Sequence, residues 1–203
     1  GSYNGKIFIS HDNGNNWQEI VMDSSGARVN TIEVYKSGLL IGTSKGLFIS
    51  DFFGYNLHKL FSLDVNAIAV KDSIIFIGSS RGLYSSTDNG NSWEPDFDLT
   101  SNKKKSTNRI QGAIEHIITN DSMIVVNTKE GIFYYSANNG EDWFKLRELC
   151  SFRDVSSVKF FKEDIIFSIA HNGLYLFKNS KEGWVYNFLP SPSTMINSIE
   201  TDG

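Results

Sequence analysis

Hydrophobic and polar residues alternate along most of the chain with a period of two, which is typical of β-strands. The segment VNTIEV from Val29 is followed by LLIGT, which ends at Thr43, and by GLFIS from Gly46. A fourth apolar segment runs from Leu57 to Phe61. β-branched and aromatic residues dominate these segments, so we predict four consecutive strands and almost no helix.

The same four-part pattern begins again at Val65, Ile114 and Val155. We name the four strands of each copy a, b, c and d in chain order. The copies follow one another at about 40 residues, a spacing typical of propeller blades. We therefore predict an all-β chain that forms a β-propeller of four-stranded antiparallel blades. Four complete copies and two incomplete ends give about five blades.

A repeated turn motif joins strand c to strand d in these copies. It reads Ser-x-Asp-x-Gly-x-x-Trp in Ser86, Asp88, Gly90 and Trp93. The Asp is expected to accept backbone N–H groups, the Gly to adopt a positive φ, and the Trp to open strand d and bury its ring beside the turn. The DNGN segments lack the distal glutamate of a calcium loop. The motif recurs at Ser10, Asp12, Gly14 and Trp17, and with Asn for Asp at Ser136, Asn138, Gly140 and Trp143; degraded copies carry Trp184, or Ser50, Gly54 and Leu57.

The two ends of the chain match different parts of one blade. Residues 1–10 align with the end of a b strand and a following c strand, and Ile196 begins an expected a strand. We expect residues 1–203 to form a single propeller domain whose terminal strands contribute to one composite or incomplete blade. A fragment of a larger propeller is the alternative, and it is slightly favoured because repeat arrays normally protect their ends.

Composition narrows the classes of function. The chain has 19 basic and 23 acidic residues and a net charge of -4, which gives no signal for nucleic-acid binding. A single cysteine, Cys150, excludes an internal disulfide. No apolar run is long enough for a membrane span, and no second His or Cys near His171 has metal-ligand spacing. We therefore predict no nucleic-acid partner, membrane insertion, metal or cofactor.

The turn motifs resemble the Asp-box (BNR) repeats of sialidases, sortilin-type receptor propellers, xyloglucanase-type glycosidases and the photosystem II assembly factor family. The phrases IGTSKGL and IGSSRGL are most similar to the assembly-factor type. The resemblance implies a structural role for the Asp-box turns at the blade periphery. It also implies an extracytoplasmic location, which means periplasmic, secreted or lumenal.

Catalysis receives little support from the sequence. A resemblance to sialidases implies an arginine triad, a tyrosine with an acidic partner, a further acid and a Phe/Tyr-Arg-Ile-Pro segment. The chain has only five arginines, and NRIQG at Arg109 is a faint match to that segment. Another glycosidase would need two carboxylates across a cleft, and Glu115, Glu130 and Asp154 lie near predicted loops. We predict no catalytic residues, and glycosidases are the only enzyme class given weight.

In a propeller, the b-to-c loops and the d-to-a connections share one face. Here that face is predicted to carry most of the arginines, whose forked guanidinium groups suit carboxylate and sulfate ligands. The long connection from Pro95 to Gln111, with Lys103, Lys104 and Lys105, falls on the same face. We predict a non-enzymatic scaffold that binds a protein or peptide, acidic in character, on the face bearing Arg28, Arg81, Arg109 and Arg153. The alternatives are a carbohydrate-active domain, glycosidase-like or lectin-like, and a sensor propeller of a larger protein. The candidate ligand-binding residues are Arg28, Lys45, Arg81, Arg109, Lys129, Arg153 and His171.

Overall fold

The computed structural model of the protein describes residues 5–21, 26–96, 110, 112–146, 152–180, 183–190 and 196–201. The chain divides into two compact units, Gly1–Pro95 and Asp96–Gly203, and each is described by itself. The expectation that residues 1–203 form one domain stays a prediction. The described residues contain no helix, and thus none that could span a membrane.

The described residues of unit 1 form one two-stranded sheet and two four-stranded sheets, all antiparallel. Within each four-stranded sheet the strands follow one another in chain order, as in a propeller blade. The first sheet consists of β1 (Lys6–Ile9) and β2 (Gln18–Val21). The second sheet consists of β3 (Val29–Tyr35), β4 (Gly38–Thr43), β5 (Gly46–Asp51) and β6 (His58–Phe61). The third sheet consists of β7 (Ala67–Lys71), β8 (Ile74–Ser79), β9 (Gly82–Ser86) and β10 (Glu94–Pro95).

In unit 2, the part of the chain that the structure describes forms two further four-stranded antiparallel sheets with the same strand order. The fourth sheet consists of β11 (Ile114–Thr119), β12 (Ile124–Thr128), β13 (Phe133–Ser136) and β14 (Phe144–Lys145). The fifth sheet consists of β15 (Val155–Phe161), β16 (Asp164–Ile169), β17 (Gly173–Ser180) and β18 (Gly183–Leu189). The predicted all-β fold of four-stranded propeller blades is confirmed.

Neighbouring sheets within a unit are held by apolar clusters between them. Ile7 and Ile20 of the first sheet pack with Ile41 and Phe48 of the second. In unit 2, Phe133 of the fourth sheet stands 5.0 Å, centroid to centroid, from Phe167 of the fifth. Each sheet buries apolar side chains against its neighbour, because alternate residues of a strand point to opposite faces.

Three details differ from the sequence prediction. The Asp-box tryptophans precede strand d and do not open it: β2, β10 and β14 begin one residue after Trp17, Trp93 and Trp143. Ring burial is not uniform, since Trp17 is 62% exposed whereas Trp143 is 3% exposed. A tryptophan at the turn is buried by residues of the neighbouring sheet, so local sequence alone does not decide its burial.

Residues 196–201 do not form the predicted a strand. They lie beside β15 and are bound to it through side chains. The hydroxyl of Thr201 donates to the carbonyl of Phe160 at 2.9 Å, and the N–H of Ile199 donates to the hydroxyl of Ser157 at 3.2 Å. A strand requires a regular backbone ladder, which these side-chain bonds do not provide.

Candidate functional site

Each four-stranded sheet has two chemically different ends. One end, here called the loop end, carries the b-to-c loop and the residues just before strand a. The other, here called the turn end, carries the a-to-b and c-to-d turns. This division follows from antiparallel strand order, and it assigns every predicted ligand-binding residue within the described ranges to the loop end of its own sheet.

At the loop end, a recurring bond fastens the b-to-c loop to the residue before strand a. In the second sheet, the N–H of Ser44 donates to the carbonyl of Arg28 at 2.9 Å. Equivalent backbone bonds join Lys129 to the carbonyl of Ala113 and Ala170 to that of Asp154, at 2.8 and 2.9 Å. The loop ends are thus built on a common backbone frame.

The third sheet forms the same connection with a side chain. The N–H of Ser80 donates to Oδ2 of Asp64 at 2.9 Å, and its hydroxyl donates to Oδ1 at 2.6 Å. Asp64 is an acid in a region predicted to be basic, and sequence reasoning did not single it out. Its spacing of 16 residues from Ser80, which matches the spacing of Arg28 and Ser44, is the signal that could have identified it.

Buried hydroxyl groups hold the b-to-c loops that carry Lys45 and Arg81. Thr43 is buried; its Oγ1 donates to the carbonyl of Gly46 at 2.9 Å and accepts the N–H of Lys45 at 3.1 Å. Ser79 does the same in the third sheet, donating to the carbonyl of Gly82 at 3.1 Å and accepting the N–H of Arg81 at 3.0 Å. Lys45 and Arg81 are therefore exposed side chains on loops of the same construction.

Arg28 lies on the same surface of unit 1. Its Nε donates to Oδ1 of Asn30 at 2.8 Å, and Nδ2 of Asn30 donates to the carbonyl of Val65 at 2.9 Å. The N–H of Val65 in turn donates to the carbonyl of Thr43 at 2.8 Å. These bonds join the second and third sheets, so the exposed side chains of Arg28, Lys45 and Arg81 occupy adjoining loop ends. We call these three residues the basic loop end.

Tyr84 is a half-buried neighbour of this surface. Burial raises the pKa of its hydroxyl, the guanidinium of Arg81 opposes that shift, and the carboxylate of Asp64 reinforces it. Both charges therefore lie close enough to Tyr84 to act on its ionisation. The hydroxyl therefore stays protonated near neutral pH.

The loop ends of unit 2 have mixed charge. Lys129, Arg153 and His171 are exposed there, but Glu130 and Asp154 adjoin them in sequence and are exposed as well. The loop-end bonds also show which residues correspond between sheets. Lys129 donates its backbone N–H at the loop end as Ser44 and Ser80 do. Glu130 and His171 each follow such a donor residue, as Lys45 and Arg81 do.

Part of the predicted basic face lies outside the described residues. It comprises Arg109 and the lysines Lys103, Lys104 and Lys105. The prediction that four arginines share one face therefore stays a prediction.

The Asp-box turns occupy the turn ends. The hydroxyl of Ser86 donates to Oδ1 of Asp88 at 2.8 Å and accepts the N–H of Gly90 at 2.8 Å. Asp88 Oδ1 also accepts the N–H of Ser92 at 2.8 Å, and its Oδ2 accepts the Ser92 hydroxyl at 2.6 Å. Gly90 has a φ of 86°. Both carboxylate oxygens of Asp88 are thus engaged within the turn.

These bonds lower the pKa values of the turn carboxylates. The hydroxyl and the N–H of Ser92, followed by the hydroxyl of Ser86, lower the pKa of Asp88 from 3.8 to about 2. The N–H and the side-chain amide of Asn16 likewise lower the pKa of Asp12. A carboxylate that accepts several hydrogen bonds favours its charged form. The charged carboxylates of Asp12 and Asp88 therefore have a structural role within their turns.

Sequence reasoning missed one acid with the same function in the second sheet. Oδ1 of Asp51 accepts the N–H groups of Phe53 and Tyr55 at 3.0 and 2.8 Å, and its Oδ2 accepts Nδ2 of Asn56 at 3.1 Å. Asp51 directly follows Ser50, so the Ser-x-Asp spacing is absent. The signal that remains is the four-residue distance from the Asp to the amide it binds, which Asp88 and Ser92 share.

No group of three or more His, Cys, Asp or Glu side chains that could hold a metal ion occurs in the described part of the chain.

Comparison with family models finds no match, and no curated protein sequence is significantly similar. Comparison with solved structures does find similar folds. YCF48 from Cyanidioschyzon merolae shares 15% identity with a TM-score of 0.64, over 91% of this chain and 65% of that one. An ancestral GH74 enzyme shares 16% identity with a TM-score of 0.66, over 93% of this chain and 28% of that one.

The extracellular domain of a putative one-component system from B. thetaiotaomicron shares 15% identity with a TM-score of 0.68. The match covers 97% of this chain and 30% of that one. This chain spans less than two thirds of the length of each of these structures. The resemblance together with the repeated four-stranded sheets shows that the chain has a β-propeller fold.

Proposed function

We propose that this propeller is a non-enzymatic binding scaffold that recognises an acidic segment of a protein or peptide at the basic loop end. The observation that carries the proposal is the placement of Arg28, Lys45 and Arg81, all exposed, on adjoining loops of two sheets. Rigid loops on a rigid frame suit recognition, because little conformational entropy is lost when a ligand binds.

The chemistry of the three side chains fits carboxylates. A guanidinium group presents two parallel N–H donors to a carboxylate, and an ammonium group adds a point charge beside it. Asp64, an acid in the loop end of the third sheet, accepts two hydrogen bonds from Ser80. An extended acidic peptide that crosses the two loop ends can therefore pair with successive cations.

The test is fluorescence anisotropy with a fluorescein-labelled hexaglutamate peptide, compared with hexaglutamine. Charged hydrogen bonds contribute about 1.5 to 3 kcal/mol each, so the triple variant Arg28→Glu, Lys45→Glu, Arg81→Glu is expected to bind at least about tenfold more weakly. The matched control changes three exposed lysines outside the loop ends, Lys36→Glu, Lys162→Glu and Lys178→Glu, and thus has the same net charge.

Equal losses in the two triple variants would mean that binding reflects net charge alone. Equal binding of hexaglutamate and hexaglutamine by the unmodified protein would exclude recognition of carboxylates. Either result contradicts the proposal. Circular dichroism on each variant establishes that the sheets remain intact.

A second candidate is a carbohydrate-active domain, and the similarity to a GH74 enzyme favours it. Exposed aromatic rings at the turn end of the second sheet, Phe53 and Tyr55, would provide stacking surfaces for sugar rings. Retention on a glycan array together with hydrolysis of aryl glycosides would support an enzyme. Retention without hydrolysis would support a lectin-like domain.

We also propose an extracytoplasmic location, and a sensor role within a larger protein is its natural extension. The similarity to the extracellular domain of a putative one-component system supports both. Cell fractionation with an antibody against the propeller tests the location. A purely cytoplasmic signal would contradict it.

A further inference from the structure

Each Asp-box turn places an asparagine directly before its glycine. The three pairs are Asn13–Gly14, Asn89–Gly90 and Asn139–Gly140. The asparagines have φ of 57°, 63° and 54°, and the glycines have φ of 89°, 86° and 87°, in the same order. Asparagine tolerates a positive φ better than most residues, and glycine adopts it freely. The backbone of the turn therefore favours the dipeptide Asn-Gly.

The same dipeptide is chemically labile, because its asparagine side chain is prone to deamidation. In this reaction the glycine nitrogen gives up its proton and bonds to Cγ of the asparagine, while the Cγ–Nδ2 bond breaks and ammonia leaves. Glycine has no Cβ that would shield its nitrogen. Water then opens the succinimide ring to aspartate or isoaspartate. The geometry of the turn thus favours a pair of residues that invites this modification.

The serine of the turn occupies the path of this reaction. The nitrogen of a succinimide is planar, so the new N–Cγ bond takes the direction that the N–H bond had. At Gly90 that direction is occupied by Oγ of Ser86, which accepts the N–H at 2.8 Å. A serine oxygen therefore stands where the reacting carbon would have to be. Equivalent bonds at 2.7 and 2.9 Å join Gly14 to Ser10 and Gly140 to Ser136.

The serine oxygen is itself held in this position. The hydroxyl of Ser86 donates to Oδ1 of Asp88, so a lone pair of its oxygen remains directed at the N–H of Gly90. A hydrogen bond is strengthened when its acceptor group donates in turn. Removal of the glycine proton therefore requires that a chain of two bonds be broken. The other turns have the same chain, from Ser10 to Asp12 at 2.9 Å and from Ser136 to Asn138 at 3.0 Å.

Asn89 is restrained at its side chain as well. Its Oδ1 accepts the hydroxyl of Tyr35 at 2.7 Å and Nζ of Lys36 at 2.5 Å. Both donors belong to the second sheet, so they hold the carboxamide of Asn89 against the preceding sheet. Movement of Cγ towards the nitrogen of Gly90 would disturb both bonds. The nitrogen and the carboxamide of this pair are therefore each engaged elsewhere.

We propose that Asn13, Asn89 and Asn139 are latent deamidation sites, and that the serine of each Asp-box turn protects its asparagine by occupying the path between Cγ and the glycine nitrogen. The serine hydroxyl thus has a chemical role beside its structural one. Isoaspartate adds a methylene group to the backbone, which would displace the glycine N–H from the serine. Protection by the hydroxyl therefore also preserves the turn.

Peptide mapping by mass spectrometry tests the proposal on the full chain, incubated both folded and in urea. The measured quantity is the rate at which each Asn-Gly pair is converted to aspartate and isoaspartate. In the folded chain the three Asp-box pairs are expected to react at least about tenfold more slowly than in urea. Ser86→Ala removes one hydrogen bond and is expected to raise the rate at Asn89 in the folded chain by about three- to tenfold.

Two further variants separate a local effect from a general loss of stability. Ser85→Ala is the matched control, because Ser85 precedes Ser86 in β9 and its side chain points to the opposite face of the strand. It is expected to leave the rate at Asn89 unchanged. Ser136→Ala is expected to raise the rate at Asn139 and not at Asn89. The pair Asn172–Gly173, which lies outside the Asp-box turns, is the internal reference, and its rate is expected to be the same in every variant.

Four outcomes would overturn the proposal. One is an unmodified chain that reacts as fast when folded as in urea. Another is an unchanged rate at Asn89 in Ser86→Ala. A lower rate in that variant would show that the hydroxyl takes up the glycine proton and promotes the reaction. Acceleration at every Asn-Gly pair would show that the substitution acts by unfolding the chain and not by opening one turn.

Discussion

The side-chain amide of Asn138 donates from Nδ2 to Oδ2 of Asp142 at 3.0 Å in the c-to-d turn of the fourth sheet. In the first sheet the same two positions carry Asp12 and Asn16, and the amide of Asn16 donates to Oδ2 of Asp12. Each turn thus pairs one amide with one carboxylate, but the two residues have exchanged places. What the turn requires is a donor opposite an acceptor, whichever position supplies each.

This exchange predicts a compensating pair of substitutions. Asn138→Asp alone sets two carboxylates against each other and is expected to lower the free energy of unfolding by about 1 kcal/mol. Adding Asp142→Asn recreates the arrangement of the first sheet and is expected to restore most of the loss. Urea denaturation of the four forms of this double-mutant cycle measures the coupling. Additive effects of the two substitutions would show that the turn does not depend on this contact.

Asp88 predicts a specific pH dependence of stability. Its folded pKa of about 2 lies below the ordinary value of 3.8, so the bonded carboxylate contributes stability above pH 3.8 that is lost as the pH falls towards 2. Asp88→Asn removes this titration while keeping the amide found at the equivalent position 138. The stability gap between the parent and this variant is expected to narrow from pH 5 to pH 2.5. The gap is measured from the midpoints of urea denaturation at each pH. A gap that stays constant would contradict the assignment.

Sequence predicted the parts of this fold that depend on local chemistry. The alternating segments and the Asp-box motif located every four-stranded sheet, because strand periodicity and turn residues are properties of neighbouring positions. Asp51 was not predicted because its turn lacks the serine-to-aspartate spacing, although its hydrogen bonds are equivalent to those of the Asp-box aspartates.

Burial and surface charge were less predictable, because both depend on residues distant in the chain. Trp17 and Trp143 have the same motif, but only Trp143 is covered. The charge of the loop ends likewise depends on register, since Glu130 of the fourth sheet has the position that Lys45 and Arg81 occupy in unit 1. The composition of a b-to-c loop does not reveal which of its residues donates its N–H to the residue before strand a, and so it does not reveal which side chain comes next.

Asn127 is expected to lower the stability of unit 2. It is 1% exposed in β12, opposite Phe133, and neither its Oδ1 nor its Nδ2 has a hydrogen-bond partner. An unsatisfied buried amide costs about 1 to 3 kcal/mol, so Asn127→Leu, whose apolar side chain branches at the same Cγ, is expected to raise the free energy of unfolding by about 1 kcal/mol or more. Urea denaturation measures the change.

Asn120→Leu is the control for this substitution. Oδ1 of Asn120 accepts the N–H groups of Ser122 and Met123 at 2.9 and 2.8 Å, so its replacement is expected to destabilise the protein. A loss of stability in Asn127→Leu as large as that in the control would show that the buried amide is satisfied in solution.

Gly54 and Gly26 separate backbone strain from packing at the contact between the first and second sheets. Both have positive φ, 77° and 66°, so alanine at either position is strained by about 1 kcal/mol. A Cβ at Gly26 would meet nothing within 4 Å, whereas a Cβ at Gly54 would overlap the side chain of Ile20. Gly54→Ala is therefore expected to cost about 1 to 3 kcal/mol more than Gly26→Ala in urea denaturation, because overpacking adds to the strain. In an Ile20→Ala background the additional cost should disappear, since the obstructing side chain is gone. If it persists there, the side chain of Ile20 does not pack on this turn, and the overlap is not what makes the substitution at Gly54 more costly.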